Sequence, residues 1–326
     1  MSDNPRIDGL SGPSYCIFED FQVRKTKKQK TKFINYVKNV AEYHGYTAKV
    51  EKGSFGARNI VIGDPATAKA VYTAHYDTCA RLPFPNFITP KNFFYYIVYQ
   101  LMITVPIIAI LFAVAFGMSF IIKIVGDSMG LSEDVILRLM SLSLLVSYFL
   151  VFYLLMNGPA NKHTANDNTS GVITLIEIML ALPAEKKNEI CFVFFDLEEM
   201  GLFGSSGFAS KHKKEMKDKL VLNFDCVSDG ETILFVVKNA AKRYVPALEA
   251  SFVSDGYFTV DIATKGVFYP SDQANFKGGV GVAALKYSKK LRAFYMDKIH
   301  TKHDTVFSEA NIKFLAEGAL RLVEKL

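Results

Sequence analysis

Asp167 stands in the polar hexapeptide NDNTSG, residues 166–171, directly before a predicted apolar helix. Its two neighbours, Asn166 and Asn168, are neutral and do not compete with it as anions. A single carboxylate in such a loop is suited to bridge two metal ions, as the sites that activate water for hydrolysis require. The hexapeptide therefore raises the hypothesis of a two-metal site, for which other parts of the chain must supply the remaining ligands.

Further potential metal ligands follow predicted strands. They are His75 and Asp77 in VYTAHYD, Asp196, Glu198 and Glu199 in CFVFFDLEE, Asp225 in VLNFD, and His300 and His303 in IHTKHDT. Carboxylates mixed with imidazoles suit zinc, and manganese or cobalt would also accept them. Ligand sites of α/β sheets form at the carboxyl ends of the strands, so we expect these side chains to meet at one edge of a sheet.

Two of these acidic residues, Glu198 and Glu199, are adjacent, and metal-assisted hydrolysis needs carboxylates in two roles. One binds metal, while the other stays free of the metal and accepts a proton from water. The residue types alone do not decide which glutamate has which role. Asp77 lies two residues after His75 on the same face of a predicted strand, where it could accept the second imidazole N–H of His75 and fix its tautomer.

Strands and helices alternate around these residues. Strands are predicted at 46–53, 58–63, 69–77, 189–196, 219–227, 231–237, 257–263 and 279–285, and helices at about 21–44, 170–182 and 308–326. Continuous apolar strands such as EICFVFFD are typical of a sheet that is covered on both faces. The alternation predicts an α/β fold, a three-layer αβα sandwich around a mostly parallel mixed sheet.

Two long apolar runs interrupt this pattern. Residues 92–122 and 139–161 contain no charged side chain, and about 20 apolar residues suffice to span a bilayer as a helix. NFFYYIVYQ in the first run and SYFLVFY in the second place aromatic residues at the same end of both, as in interfacial belts. The sequence thus predicts a transmembrane helical hairpin at 91–157, inserted into a discontinuous domain of residues 1–90 and 158–326. A pair of buried core helices or a hydrophobic dimer interface is the alternative.

The distribution of charge bears on location and partners. The link of the hairpin carries Lys123 and Arg138 against Asp127, Glu133 and Asp134, whereas Arg81, Lys91, Lys162 and the basic stretch VRKTKKQKTK lie outside it. The positive-inside tendency therefore predicts a cell-membrane protein with a cytoplasmic main domain.

The basic stretch has no aromatic platform beside it, so no nucleic-acid partner is expected. The four cysteines are scattered, which predicts neither a zinc knuckle nor a disulfide scaffold.

In chain order, these motifs resemble those of the co-catalytic di-zinc aminopeptidases, relatives of glutamate carboxypeptidase II, the transferrin receptor and glutaminyl cyclase. AHYD resembles the H-x-D of that family, NDNTSG its bridging-aspartate loop, DLEEMGLFGS its E-E-x-G-L-x-G-S stretch, NFDCVSDG its N-x-D strand and IHTKHDT its H-x-x-x-D-T. The resemblance covers nearly the whole chain outside the hairpin. It implies a fold of the zinc-peptidase and phosphorylase type.

The resemblance also implies roles for single residues. One Zn²⁺ would be bound by His75, Asp167 and Asp225, and the other by Asp167, Glu199 and His300. Glu198 would be the general base. The spacing of the last motif selects His300 rather than His303 as a ligand and places Asp304 behind it. Asp77 would assist catalysis by orienting His75.

The implied activity is that of a membrane-anchored metallopeptidase that removes N-terminal residues from peptides. Alternatives are a carboxypeptidase, a dipeptidase, an N-acyl amino acid hydrolase or a glutaminyl cyclase on the same scaffold, or a non-catalytic membrane receptor, because fold does not fix substrate. A homo-oligomer is compatible with the sequence. Gln273, in YPSDQANF, stands where the family usually has histidine, which leaves the substrate preference open. Cys79 is expected to be inert packing, with a substrate contact as the alternative.

Overall fold

The computed structural model describes residues 9–326. Within this range the helices are α1 (Gly12–Asp20), α2 (Lys27–Tyr43), α3 (Phe93–Ser128), α4 (Glu133–Asn157), α5 (Gly171–Ala181), α6 (Phe203–Lys211), α7 (Val245–Ser251) and α8 (Glu309–Val323). The strands are β1 (Ala48–Lys52), β2 (Arg58–Ile62), β3 (Ala70–His75), β4 (Ile190–Phe195), β5 (Leu220–Phe224), β6 (Thr232–Val237), β7 (Thr259–Ala263), β8 (Gly279–Ser288) and β9 (Ala293–Tyr295). The chain divides into two compact units, of which the smaller is Phe94–Pro159 and the larger contains the residues on either side of it.

The larger unit is built on one mixed sheet with the strand order β1-β2-β4-β3-β5-β8-β6-β7, in which β9 pairs with β8. Pairing is parallel along β4-β3-β5-β8 and between β6 and β7, and it is antiparallel at the remaining four pairs. The parallel strands are separated in sequence by long connections, as crossover topology requires. The predicted α/β fold is therefore confirmed, with a mixed sheet at its centre.

The sheet is covered on both faces, because alternate side chains of its inner strands enter two different cores. In β4, Phe192 and Phe194 pack with α2 and α5 in one core, whereas Val193 and Phe195 pack with Phe208 of α6 in the other. This alternation follows the two-residue period of a strand. It also explains why β4 is continuously apolar in sequence.

Helix α2 is shorter than the sequence predicted. It starts at Lys27 rather than near Phe21, because Thr26 and Gln29 form a reciprocal capping box that fixes the first turn. At the other end, Gly45 follows the helix with φ +80°, as the predicted glycine cap requires. The residues between α1 and α2 thereby lie outside both helices, and Arg24 among them is fully buried.

The smaller unit consists of most of α3 together with α4. Both helices are long and apolar enough to cross a membrane, with mean hydropathy 2.6 for α3 and 2.2 for α4 in their most apolar parts. Most of their large apolar side chains are exposed. The two helices approach closely at Gly126, where a Cβ atom would lie 2.7 Å from Cγ1 of Ile136. Small residues at such points are typical of helix pairs in membranes.

Ion pairs of the buried Glu51 hold the edge strand β1 to the end of α6. Glu51 accepts hydrogen bonds from Lys211 and His212, each at 2.9 Å, and lies 3.1 Å from Lys49. Burial alone would raise the pKa of the Glu51 carboxyl, but the hydrogen bonds from His212 and two lysines lower it from 4.5 to about 2. A carboxyl whose pKa is lower in the folded than in the unfolded chain stabilises the fold above the unfolded pKa.

We therefore expect Glu51→Gln to destabilise the protein most at pH 6 and progressively less as the pH falls from about 4.5 towards 2. The measurement is the free energy of unfolding in urea, for wild type and variant, across this range of pH. Glu42→Gln is the matched control. Glu42 is exposed, and its ion pair with Lys38 on α2 is long, at 3.8 Å, so its loss should change the stability little. A Glu51→Gln deficit that stays constant with pH would contradict this account.

Candidate metal centre

His75 stands at the end of β3, where the carboxyl ends of three parallel strands lie side by side. The register places His75 opposite Phe195 of β4, and β5 on the other side of β3 ends at Phe224. The segments that follow these strands therefore begin at one edge of the sheet, as the sequence predicted. They deliver Asp77, Glu198 and Asp225, respectively.

The centre is organised around Asp167. Its Oδ1 lies 3.3 Å from Nε2 of His75, and its Oδ2 lies 3.0 Å from Nε2 of His300. Each oxygen of one buried carboxylate thus faces a different imidazole. Oδ1 of Asp225 lies 3.4 Å from Nε2 of His75, and Oε2 of Glu199 lies 3.1 Å from Nε2 of His300. The five predicted ligands are therefore brought together in two groups that share Asp167.

His303, the other histidine of the late motif, is exposed to solvent. His300 is held with φ +64°, and Leu197 and Cys226, which lie beside the acidic residues of the centre, have φ of +55° and +56°. Residues other than glycine rarely adopt this left-handed conformation, and it is concentrated at functional sites. The backbone therefore bends sharply where it presents these side chains.

Asp77 takes a position that the sequence predicted only in part. Nδ1 of His75 lies 3.1 Å from the backbone oxygen of Asp77, closer than the 3.7 Å to its carboxylate. The carboxylate instead accepts the backbone N–H groups of Glu198, at 3.0 Å, and Glu199, at 3.3 Å. Asp77 thus orients His75 through its main chain and positions both glutamates through its side chain.

The two asparagines of the hexapeptide fasten its loop to the end of β5. The side-chain oxygen of Asn166 accepts the backbone N–H groups of Ser228 and Asp229, at 2.7 and 3.2 Å. Asn168 donates to the backbone oxygen of Phe224 at 3.0 Å and accepts from the N–H of Cys226 at 3.2 Å. These bonds hold the Asp167 loop against the segment that carries Asp225. The sequence identified these asparagines only as neutral neighbours.

Asp304 supports the same loop from the other side. Its carboxylate accepts the backbone N–H groups of Asn166, at 2.9 Å, and Asp167, at 3.0 Å. The side chain of Asp304 therefore lies behind Asp167 and contacts its backbone, as the resemblance implied. The last motif thus supplies one imidazole that faces the centre and one carboxylate that shapes it.

Gln273 is buried and contacts Tyr269, one of the residues that hold Asp225. Its side chain accepts from Asn223 at 3.1 Å and donates to the backbone oxygen of Tyr269 at 2.8 Å. Tyr269 in turn donates to the backbone oxygen of Asp225 at 2.9 Å, and Ser271 donates to its carboxylate at 2.5 Å. Gln273 therefore fixes the backbone of Tyr269, whose hydroxyl holds Asp225, an arrangement that sequence reasoning did not identify.

One predicted candidate stands apart from the centre. Asp196 pairs with the buried Lys30 at 2.5 Å and accepts the backbone N–H of Arg58 at 3.0 Å. Three carboxylates thus follow β4. That of Asp196 has a structural partner, whereas those of Glu198 and Glu199 face the centre.

The electrostatics of the centre favour a bound cation. Burial raises the pKa of Glu198 well above its ordinary value, and nearby carboxylates such as Asp225 add to this effect. Burial would also raise the pKa of Asp167, but hydrogen bonds from His300 and His75 lower it. Oε1 of Glu199 is buried and has no hydrogen-bond partner among residues 9–326. Several carboxylates that are buried close together normally pair with cations or bind a metal ion.

The donor set fits zinc. Ligand atoms of His75, Asp167 and Asp225 lie within 4.8 Å of one another, and so do those of His75, Glu198 and Glu199. Imidazole nitrogens and carboxylate oxygens are common zinc ligands. Nδ1 of His75 is engaged by the backbone of Asp77, which leaves Nε2 directed at the carboxylates. A hydrogen bond at the second ring nitrogen is typical of metal-binding histidines.

Arg24 forms hydrogen bonds to two loops of the centre, the one after β3 and the one that carries Asp167. Its guanidinium donates to the backbone oxygen of Tyr76 at 2.5 Å and to the hydroxyl of Thr169 at 3.1 Å. These residues lie next to His75 and Asp77 in one loop and close to Asp167 in the other. Burial lowers the pKa of Arg24 to about 10, and the charges of Asp77 and Asp167 oppose this shift.

We expect Arg24→Met to lower the free energy of unfolding by about 2–4 kcal/mol, because it leaves buried acceptors unpaired and removes a cation beside buried carboxylates. Urea denaturation measures the effect. Arg243→Met is the control, because Arg243 is exposed, and a change within about 0.5 kcal/mol is expected there. Equal effects of the two substitutions would show that the buried arginine has no special part in the fold.

Comparison with known proteins bears on the family and on the fold. A family model described as Peptidase family M28 matches residues 151–321. The structure is similar to the LapA aminopeptidase of Legionella pneumophila, with 15% identity and a TM-score of 0.54, over 95% of this chain and 69% of that one. It is similar to a glutaminyl cyclase of Bacteroides thetaiotaomicron bound to N-acetylhistamine, with 15% identity and a TM-score of 0.55, over 96% and 97% of the two chains. It is also similar to a Zn-dependent exopeptidase of Parabacteroides distasonis, with 14% identity and a TM-score of 0.53, over 95% and 96%. At these identities the three structures show the fold.

Proposed function

The chain belongs to peptidase family M28 and is a zinc metallopeptidase, and from this premise we propose that it is an aminopeptidase that uses two zinc ions and is anchored in a membrane. The observation that carries the two-ion proposal is the position of Asp167, whose two oxygens face His75 and His300 separately. A carboxylate placed in this way could bind one cation through each of its oxygens, as two-metal sites require.

The proposed ligands divide between the two ions. His75, Asp167 and Asp225 bind one, and Asp167, Glu199 and His300 bind the other. When bound, the zinc ions supply Lewis acidity that polarises the scissile carbonyl and lowers the pKa of water towards neutrality. The protein supplies orientation, through the contacts of Asp77, Asn166 and Asn168 that fix the ligands in place.

Glu198 is the proposed general base. It lies beside the ligands, and its backbone N–H is held by the carboxylate of Asp77. Its carboxylate takes the proton of the attacking water and delivers it to the nitrogen of the leaving amine. Burial and neighbouring negative charge raise the pKa of Glu198, which strengthens it as a base.

The test is metal analysis combined with a screen of three substrate classes: peptides with a free N-terminus, N-blocked peptides and substrates of carboxypeptidases. Two zinc ions per chain and hydrolysis that requires a free N-terminus would support the proposal. One ion per chain with formation of pyroglutamyl peptides would instead favour a glutaminyl cyclase on the same scaffold. A chain that binds zinc but transforms none of these substrates would contradict the proposed activity.

The membrane part of the proposal concerns residues 91–157, which we propose to be a transmembrane hairpin inserted between residues 1–90 and 158–326. Its support is the length, apolarity and exposure of α3 and α4. The distribution of basic residues favours a cell-membrane protein whose catalytic domain lies in the cytoplasm.

Charge substitution tests the anchor. Ile110 lies near the middle of α3 with 63% of its surface exposed, whereas Met129 follows the end of that helix with 69% exposed. An aspartate at the centre of a membrane helix costs about 2.5–3.5 kcal/mol. Ile110→Asp should therefore lower the fraction of full-length protein that resists alkaline extraction from membranes, and Met129→Asp should not. Complete extraction of the wild-type protein would overturn the proposed anchor.

A further inference from the structure

Cys79 lies four residues after His75, in the segment that leaves β3, and only 5% of its surface is exposed. Its Sγ atom, a carboxylate oxygen of Glu199 and a ring nitrogen of His300 lie within 4.8 Å of one another. The thiol therefore stands beside two residues to which the proposed function gives one of the zinc ions. This position goes beyond the inert packing that the sequence predicted.

The position of Cys79 relative to His300 is fixed by the backbone. The N–H of Leu82 donates to the backbone oxygen of His300 at 2.8 Å. The backbone oxygen of Cys79 accepts from Asn161 at 3.2 Å, and Ala80 pairs with Ala160 in an isolated bridge. The first contact holds the cysteine segment against the segment that carries His300, and the other two hold it against residues 160–161, so the thiol stays beside the imidazole.

Glu199 provides an independent sign that the cluster accommodates a ligand. Its side chain is only 8% exposed. Oε2 faces His300 at 3.1 Å, while Oε1 is buried and makes no hydrogen bond within the described part of the chain. A buried carboxylate oxygen without a donor is costly, and a cation in this cluster would satisfy it.

The chemistry of the three side chains suits one zinc ion. Zinc binds thiolate sulfur at about 2.3 Å and imidazole nitrogen at about 2.0–2.1 Å, so two such atoms on one tetrahedral ion lie about 3.5 Å apart. The cluster reaches this spacing if its atoms approach by roughly 1 Å, a change that side-chain rotation provides. Cys226 differs, because its thiol donates to Oδ1 of Asp225 at 3.2 Å.

We propose that Cys79 is a ligand of the zinc ion bound by Glu199 and His300, an inference that rests on the proposed function of this centre. On binding, the S–H bond of Cys79 breaks, a zinc–sulfur bond forms, and the proton passes to solvent. One ion then has a sulfur ligand, whereas the ion at His75 and Asp225 has nitrogen and oxygen ligands only. The two ions differ accordingly in their preference among metals, because thiolate favours softer ions.

The test uses the full-length protein, stripped of metal by chelation and loaded with Co²⁺. A near-ultraviolet thiolate-to-cobalt charge-transfer band is expected in the wild type. It should disappear in Cys79→Ser and persist in Cys226→Ser and Cys16→Ser. Cys79→Ser should also weaken zinc binding at least about tenfold in chelator competition, the scale seen even when outer contacts of a ligand are removed. Circular dichroism of each variant establishes that it has folded.

The visible cobalt bands separate the two possible failures. If they appear in the wild type without the charge-transfer band, or if Cys79→Ser keeps that band, Cys79 is not a ligand although the metal centre exists. If cobalt does not bind at all, the proposed function itself fails, and the inference about Cys79 fails with it.

A second measurement avoids the variant altogether. Iodoacetamide labelling of the wild-type chain, followed by peptide mass spectrometry, should modify Cys79 at least about tenfold more slowly with zinc than without it, because the sulfur electron pair that attacks the reagent is then bound to zinc. Cys16 is the internal control, because it is partly exposed and lies outside the centre. Its rate should not respond to zinc. Labelling of Cys79 at the same rate with and without zinc would overturn the proposal.

Discussion

Glu198→Gln is expected to keep its metal and to lose about 10²–10⁴-fold in kcat, the usual contribution of a positioned general base. Glutamine preserves the size of the side chain and the backbone N–H bond to Asp77. It cannot accept and return a proton. Because the proposed ligands remain intact, the loss should appear in kcat with little change in KM, as for an interaction made only in the transition state.

The measurement combines steady-state kinetics on a peptide with a free N-terminus with metal analysis of the same preparation. Glu185→Gln is a suitable control, because Glu185 is exposed and precedes β4, whereas the centre lies beyond the opposite end of that strand. If Glu198→Gln hydrolyses peptides at the wild-type rate with full metal content, the base is another group. If it loses metal, Glu198 is a ligand, and the roles of Glu198 and Glu199 have to be exchanged.

Much of the fold follows from local patterns in the sequence. The apolar strand EICFVFFD predicted a strand that is covered on both faces, because only such a strand can bury consecutive side chains. The start of α2 was placed too early, because the capping box at Thr26 depends on a side-chain pair that apolar periodicity does not reveal. The order and direction of the strands arise from pairing between distant parts of the chain. The sequence therefore predicted a mixed sheet but not the order of its strands.

The seven proposed site residues could be named from the sequence because metal ligands are of a few types, most of these residues follow strand ends, and their motifs resemble in chain order those of the di-zinc aminopeptidases. Their supports could not be named in the same way. Asn166 and Asn168 hold the end of β5 through backbone groups, and Arg24 bridges two loops from a segment more than fifty residues away from the nearer of them. Such contacts depend on which backbone groups the folded chain leaves unpaired. The composition and spacing of the sequence do not show which backbone groups these are.

Asp167→Asn is expected to have a larger effect than Glu198→Gln, because it removes the anion that both proposed ions share. Asn preserves the shape of the side chain, and the backbone N–H of residue 167 still reaches Asp304. The amide presents one neutral oxygen in place of the two that face His75 and His300. We expect both ions to be lost, together with transition-state stabilisation of several kcal/mol, on the order of 10⁴-fold or more in rate.

Asp225→Asn is the matched comparison, because Asp225 contacts His75 but belongs to one proposed ion only. It should lower the zinc content from two ions to one and leave the ion at Glu199 and His300 in place. Zinc should still raise the melting temperature of Asp225→Asn, whereas it should no longer do so for Asp167→Asn, because a ligand stabilises a fold only to the extent that the fold binds it. Loss of a single ion from both variants would show that Asp167 serves one ion, and the two-ion arrangement would then be wrong.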